Sequence, residues 1–459
     1  MTRLHIPQDV TRRAALVGGA AAVAAATLPR PAWAQAARLR KNVVTMPVTE
    51  FNAYKHAIQI TMDRSNANPS DKTGYLYWAS LHDNFDTHAQ SGCAHFSERF
   101  FPWHRRFLYD FEQVLQNTDP PRTSQVMIPY WDWSVPLAQN ALYPAAFTDS
   151  ASPLYDGTRF NASPPPWDAA NLKKLIAEAD WPVFAGRPDP ANGFGNRTHI
   201  GTIEVGPHNT LHNNISGDMS SPDTAVNDPI FWSFHGGIDL AWSRWQKLHK
   251  VDGKTQKSLY QAPDAALQFR ERCYAVGSIT TTDALQYDYD YDFSIDKPVA
   301  VAALSTIAPP KTTTVAKAQR LAANHAQFTV AAAPASKAAN TLLELTDIKV
   351  FADKGYRIEL FLHPKAVKLA ADAPANSPYH VQTFSMWRWH MDMTTSLYVR
   401  LSDAQLADLQ NGWVLSLQSH ELPKPRRPMA NSGMAMAMRA SKPLPAVSAL
   451  VGGISLEVR

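Results

Sequence analysis

Apolar positions recur with a period near 3.6 in four stretches of the first two thirds of the chain. They are GYLYWASLHDNF (74 to 85), WHRRFLYDFEQVL (103 to 115), HNTLHNNI (208 to 215) and PIFWSFHGGIDLAWSRWQKLH (229 to 249), and each predicts a helix. Between them, residues 136 to 200 are rich in Pro, Asn, Asp and Gly and predict long surface loops. Past YDYDYDF (287 to 293) the composition turns to Ala, Thr, Lys and Pro, which predicts a linker with some helix over 296–340. The period then shortens to two: TLLELTDIKVF, YRIELFLHP, HVQTFSMW, TTSLYVRLS, WVLSLQSH and GISLEVR predict six short strands. The expected fold is a mainly α helical bundle over 35–295, followed by a C-terminal β-sandwich domain over 341–459. The segment PKPRRPMANSGMAMAMRASKPLP, with a Met-rich run near 429–438, interrupts the strand pattern as a loop.

At the start of the chain, Arg12 and Arg13 precede an apolar run from Ala14 to Leu28, and Ala32-Trp33-Ala34 follows as a small-x-small cleavage site. This order predicts a twin-arginine export signal over 1–34, cleaved after Ala34, and an exported protein, periplasmic or secreted. The run is shorter than the ~20 residues that span a bilayer, so no membrane span is expected. Cleavage takes four arginines and one aspartate from the 44 basic and 40 acidic residues, leaving a net charge of +1. A chain so nearly neutral gives no footprint for nucleic acid. With only Cys93 and Cys273, it is no disulfide scaffold.

The chemistry sits in the histidines. His95 and His104 are nine apart in CAHFSERFFPWHRRFLYDFE, and one unbroken helix would turn them to opposite faces. Pro102 suits a first helical turn and disfavours helix before it, so a loop should carry His95 and a new helix His104. His208 and His212 stand four apart on one helix face. His235 lies on the helix after Pro229, with Asp239 one turn on, and His82 lies on the aromatic helix before His95, with His88 as a rival for its place. Two sets of three imidazoles, His82, His95, His104 and His208, His212, His235, suit a pair of metal ions, each with an open position.

CAHFSERFFPWHRRFLYDFEQVL and HNTLH followed by NDPIFWSFHGGIDLAWSRWQ resemble the two copper motifs of the type-3 dicopper family, which contains tyrosinases, catechol oxidases and haemocyanins. The resemblance covers roughly residues 75 to 250. It departs from the common pattern at the last ligand, where Phe234-His235 replaces a His-His pair. It implies two copper ions on the six histidines, with O2 and phenolic or catecholic small molecules as substrates. The expected activity is ortho-hydroxylation of monophenols and oxidation of o-diphenols to o-quinones. A catechol or o-aminophenol oxidase would share every ligand, and so would a haemocyanin-like O2 carrier. A copper-delivery partner also belongs to this expectation.

The same resemblance assigns further roles. Cys93 stands in a Cys-x-His position that some fungal members join to the histidine ring, which implies a Cys93–His95 thioether. Glu204 and Asn209 match the pair that holds a proton-accepting water in phenol-hydroxylating members. Asp239 is expected to fix a ligand ring or to pair with Arg105. Phe100 and Phe231, each four residues before a ligand, should pack over the metals. The strand region resembles the domain that follows the catalytic domain in plant polyphenol oxidases and can cover the active site. The run of Met429, Met434, Met436 and Met438 offers soft thioether ligands.

Overall fold

In the computed structural model the aromatic stretches fold as helices because each has a face that only burial can satisfy. The structure describes residues 38–83, 93–138, 141–159, 168–187, 198–269, 272–296, 312–330, 341–352, 354–370, 372–374, 376–389, 392–422 and 444–458. The export signal, His88 and the Met-rich run lie outside the described residues. The helices that matter for the site are α1 (Val48–Ala67), α2 (Tyr75–Asp83), α3 (Phe100–Gln116), α4 (Ala169–Ile176), α5 (Asn209–Ile215) and α6 (Ile230–Leu248). In α6 every residue but Lys247 is buried, so this helix is the centre of the helical part. Phe111 of α3 stacks on Trp232 of α6 at 3.9 Å, and Trp78 of α2 lies 5.6 Å from Phe111. Rings of this size bury the most apolar area per position, which fixes three helices around one cluster.

Close approach is also set by what is missing. A Cβ on Gly237 would lie 2.1 Å from the carbonyl oxygen of Trp131, and one on Gly236 3.1 Å from Tyr130 Cα. Only bare backbone lets α6 pack so tightly that the Trp131 N–H donates to the Ser233 carbonyl at 2.8 Å.

All six expected strands form, but within a ten-stranded sheet. In chain order these are β1 (Gly186–Arg187), β2 (Thr198–Ile200), β3 (Thr312–Ala322), β4 (His325–Val330), β5 (Thr341–Val350), β6 (Tyr356–His363), β7 (His380–Met386), β8 (Met393–Arg400), β9 (Val414–Glu421) and β10 (Gly453–Val458). Their order across the sheet is β7-β6-β9-β4-β3-β10-β5-β8-β2-β1. In place of two separate layers, one sheet curls through β3, whose first residues pair with β10 and whose later ones pair with β4. The stretch expected as linker therefore carries the β3–β4 hairpin. Its Thr-rich first strand faces partly outward, so its sequence lacks the apolar alternation of a core strand.

Two strands come from the region expected as loops. β2 pairs parallel with β8 (Thr395 with Thr198, Ser396 with His199), so the helical part supplies one end of the sheet. The residues from Leu39 to Arg459 form one compact unit. Among the described residues no helix is long and apolar enough to cross a membrane.

Candidate metal centre

Six histidines from five segments converge in the core. His82 ends α2, His104 lies on α3, His235 on α6, and His212 on α5. His208 closes a one-turn π-helical segment, Glu204–His208, in which Gly206 departs from helical geometry and Pro207 lacks an N–H. His95 sits on the chain before α3, as Pro102 in the first turn of that helix implied. The ring centroids of His208 and His212 are 4.5 Å apart, His208 and His235 5.0 Å, and His95 and His208 5.4 Å. The coordinating atoms of His208, His212 and His235 lie within 4.8 Å of one another. On the other side, the equivalent group comprises His82, His95 and the Cys93 thiol. His104 stands between the two groups, 5.1 Å from His95 and stacked on His235 at 4.5 Å.

The hydrogen bonds of these rings show that they fit metal ions. Five Nδ1 atoms face an oxygen: His82 the Pro222 carbonyl (2.8 Å), His95 Glu204 (2.9 Å), His104 the Phe100 carbonyl (2.8 Å), His208 Asn209 Oδ1 (2.9 Å) and His212 the Met219 carbonyl (2.8 Å). A ring that donates from Nδ1 presents a lone pair at Nε2. The Nε2 atoms of His82, His95, His104 and His208 are buried without a partner, and those of His212 and His235 face each other at 3.3 Å. Burial holds His82 down at about 4 and pushes the other five well below the usual imidazole range, so all six are the neutral form that metals bind. Without metal ions this cluster of unpaired buried acceptors would be costly.

The surrounding residues are engaged as follows. Glu204 accepts the His95 Nδ1–H and also the Phe96 N–H (2.9 and 3.0 Å), holding Phe96 at φ 57°, a region a bulky residue seldom enters. Burial raises the Glu204 carboxyl well above its ordinary range, partly offset by the Phe96 N–H. Asn209 donates from Nδ2 to the Ser385 carbonyl at 2.8 Å. Glu204 and Asn209 thus each orient one histidine. Asp239 does not reach the His235 ring, whose Nδ1 has no partner. It takes the expected partner Arg105 at 2.6 Å, together with Arg40 (3.2 Å), Tyr289 (2.6 Å) and Tyr287. Burial opposes its ionisation, but Arg105 and Arg40 prevail and hold it below the usual carboxylate range. Phe100 packs 4.7 Å from His104 and 4.8 Å from His208, and Phe231 stacks on His235 at 4.1 Å.

Two tryptophans just past β7, unannounced by the strand pattern, complete the surroundings. Trp387 stacks on His212 at 3.9 Å and donates to the Met219 carbonyl at 3.2 Å. Trp389 lies 5.1 Å from His95. The C-terminal sheet thereby roofs the histidines, and none of the six is exposed.

Two facing sets of buried imidazoles define a dinuclear copper protein of type 3. The family model for the common central domain of tyrosinase matches residues 72–165 and 151–248. A tyrosinase of Streptomyces glaucescens is 29% identical over 245 residues, covering 47% of this chain and 85% of that protein. A tyrosinase of Streptomyces antibioticus is 30% identical over 209 residues, covering 39% of this chain and 75% of that protein. The solved structure of latent apple tyrosinase superposes with a TM-score of 0.62 at 21% identity, over 84% of this chain and 94% of that one, and shares the fold. The chain belongs to the tyrosinase and polyphenol oxidase family, whose members carry a dicopper centre.

Proposed function

We propose that the chain uses O2 to hydroxylate monophenols at the ortho position and to oxidise o-diphenols to o-quinones, and that its C-terminal sheet holds it closed until displaced. The observation that carries this reading is the set of six buried, neutral imidazoles with Nδ1 tied to oxygen in five and the other nitrogen turned inward. Copper on these histidines would supply the O2 activation and the electron transfer. The protein's own residues do the rest. Phe100 and Phe231 exclude water and give a phenol ring an apolar bed. A phenol ionises near pH 10, so its proton needs an acceptor at neutral pH. The Glu204 carboxylate, beside His95 and five residues before Asn209, is the candidate. Closure rests on Trp387, which takes up the face of His212 that a substrate ring would approach. Latency is in the name of the apple relative.

One observation favours a second reading, oxidation of catechols alone. Both Glu204 and Asn209 are occupied by histidine Nδ1 atoms, and Asn209 also by Ser385, so proton acceptance requires them to rearrange. Copper-loaded protein, opened by limited proteolysis and supplied separately with tyrosine and with a catechol, separates the two. Coloured product from both supports hydroxylation, and product from the catechol alone leaves the second reading. Export with cleavage after Ala34 belongs to the same proposal, and N-terminal sequencing of the secreted protein should begin at Gln35. So does the Cys93–His95 thioether, a reading supported by the buried Cys93 sulfur within 4.8 Å of a His95 ring nitrogen. A peptide lighter by two hydrogens is its signature.

A further inference from the structure

The helical part and the C-terminal sheet meet along a seam, and a cavity of about 940 Å³, lined from both, opens on it. That volume is within the range of small-molecule sites. Leu175 of α4, Val183 and, from beyond β8, Leu401 give it apolar lining. Neutral polar groups also line it: Thr202 and Asn376 and, from β7, Gln382. Two of its groups lack partners. Thr202 is 4% exposed, and its hydroxyl makes no hydrogen bond; the Gln382 side-chain amide nitrogen is likewise buried and unpaired. Such groups are costly unless something in the cavity meets them. The charges around the cavity are largely matched. Arg400 is held by Glu178 at 2.8 Å and by Asp180, and His380 by Glu359 at 2.9 Å. The remaining lining charges, exposed Lys174 and Asp403, are of opposite sign and favour an ion of neither sign, whereas a neutral ligand with an apolar face and several hydroxyls would match the apolar and the unpaired polar groups together.

We propose that this seam cavity binds a neutral, polyhydroxylated phenolic compound, a phenol glycoside in chemical class, and that its occupancy keeps the sheet seated on the helical part. The second clause rests on the reading of the C-terminal sheet as a closure. A ligand that touches Thr202 on one side and Gln382 on the other binds only while the seam is shut, so by linkage it favours the shut form. Both contacts lead to the metal centre. Thr202 stands two residues before Glu204, and β7 carries Gln382 and Ser385 and ends one residue before Trp387.

Salicin is a suitable probe, because its phenolic oxygen is locked in the glucosidic bond and cannot enter the oxidation. Isothermal titration of the full-length, copper-loaded chain should show saturable one-to-one binding at about millimolar or tighter Kd. Gln382→Ala, and Asn376→Ala on its exposed loop, should each weaken it about tenfold, the worth of one hydrogen bond. Removal of copper should leave the affinity unchanged, which keeps this result independent of any oxidase activity. Salicin should also slow the proteolytic opening of the wild type but not of Gln382→Ala. Absence of saturable heat, equal affinity in both variants and wild type, or binding that disappears with copper would each overturn the proposal.

Discussion

The two histidine triads do the same work with different support. His208, His212 and His235 stand on adjoining helical segments, where backbone geometry alone sets the spacing of the first two. The other triad draws on three separate segments, and His95 has no helix beneath it. What holds His95 comes from the opposite motif: Glu204, four residues before His208, takes both the His95 ring and the Phe96 backbone. The Cys93 thiol, not His104, completes the close group on that side. Equal ligand counts therefore hide unequal rigidity, and the second motif is also the scaffold of the first.

The largest expected effect breaks the sturdier triad. His212→Ala should bring the copper content from two ions per chain to one and cut catechol oxidation at least about a thousandfold, several kcal/mol of transition-state stabilisation; metal analysis with steady-state rates checks both. Glu204→Gln tests the dependence between triads. Copper affinity should fall roughly 10–100-fold at the first site and hold at the second. Equal loss at both in a competitive chelator titration would refute the asymmetry. Trp387→Leu bears on both triads at once, since the indole touches His212 and lies 5.7 Å from His95. Catechol turnover by untreated full-length protein should rise about tenfold, which corresponds to about 1.4 kcal/mol less closure.

The smallest effect concerns Glu98, three residues past His95. Its carboxylate accepts the Gln261 and Ala262 N–H groups at 2.9 and 2.8 Å, yet burial pushes its pKa up to about 7. A carboxyl whose folded pKa is raised contributes stability below its unfolded value, near 4.5, and loses it as pH rises through about 7. Glu98→Gln should therefore flatten the fall in Tm between those pH values, while the loss of one of the two accepted N–H bonds costs about 1 kcal/mol below pH 4.5, read by thermal denaturation.

The sequence carried the site better than the fold around it. Ligand spacing is local, and Pro102 marks a helix start, so the split between His95 and His104 could be read directly. α1 escaped notice because its buried face, Tyr54, Ala57, Ile58, Thr61 and Ser65, mixes small and polar residues and shows little apolar periodicity. The β3–β4 hairpin was hidden by its Thr, Ala and Lys content. Arg105 could be paired with Asp239 from proximity to the ligands, whereas Arg40, Tyr287 and Tyr289 reach that carboxylate from distant ends of the helical part. Nothing in HVQTFSMWRW says which surface the strand will meet, so Trp387 could be placed only by the fold.

Gly237 bears on how the two sets of imidazoles approach each other. Its neighbour two positions back is His235, and the depth to which α6 sinks against Trp131 decides how far that imidazole advances toward His212 and His104. A single added methyl group would lift the rod and carry one copper ligand outward with it. The advance of the His235 ring toward its partner imidazoles is thus gauged by main-chain contact some distance from any of the ring nitrogens.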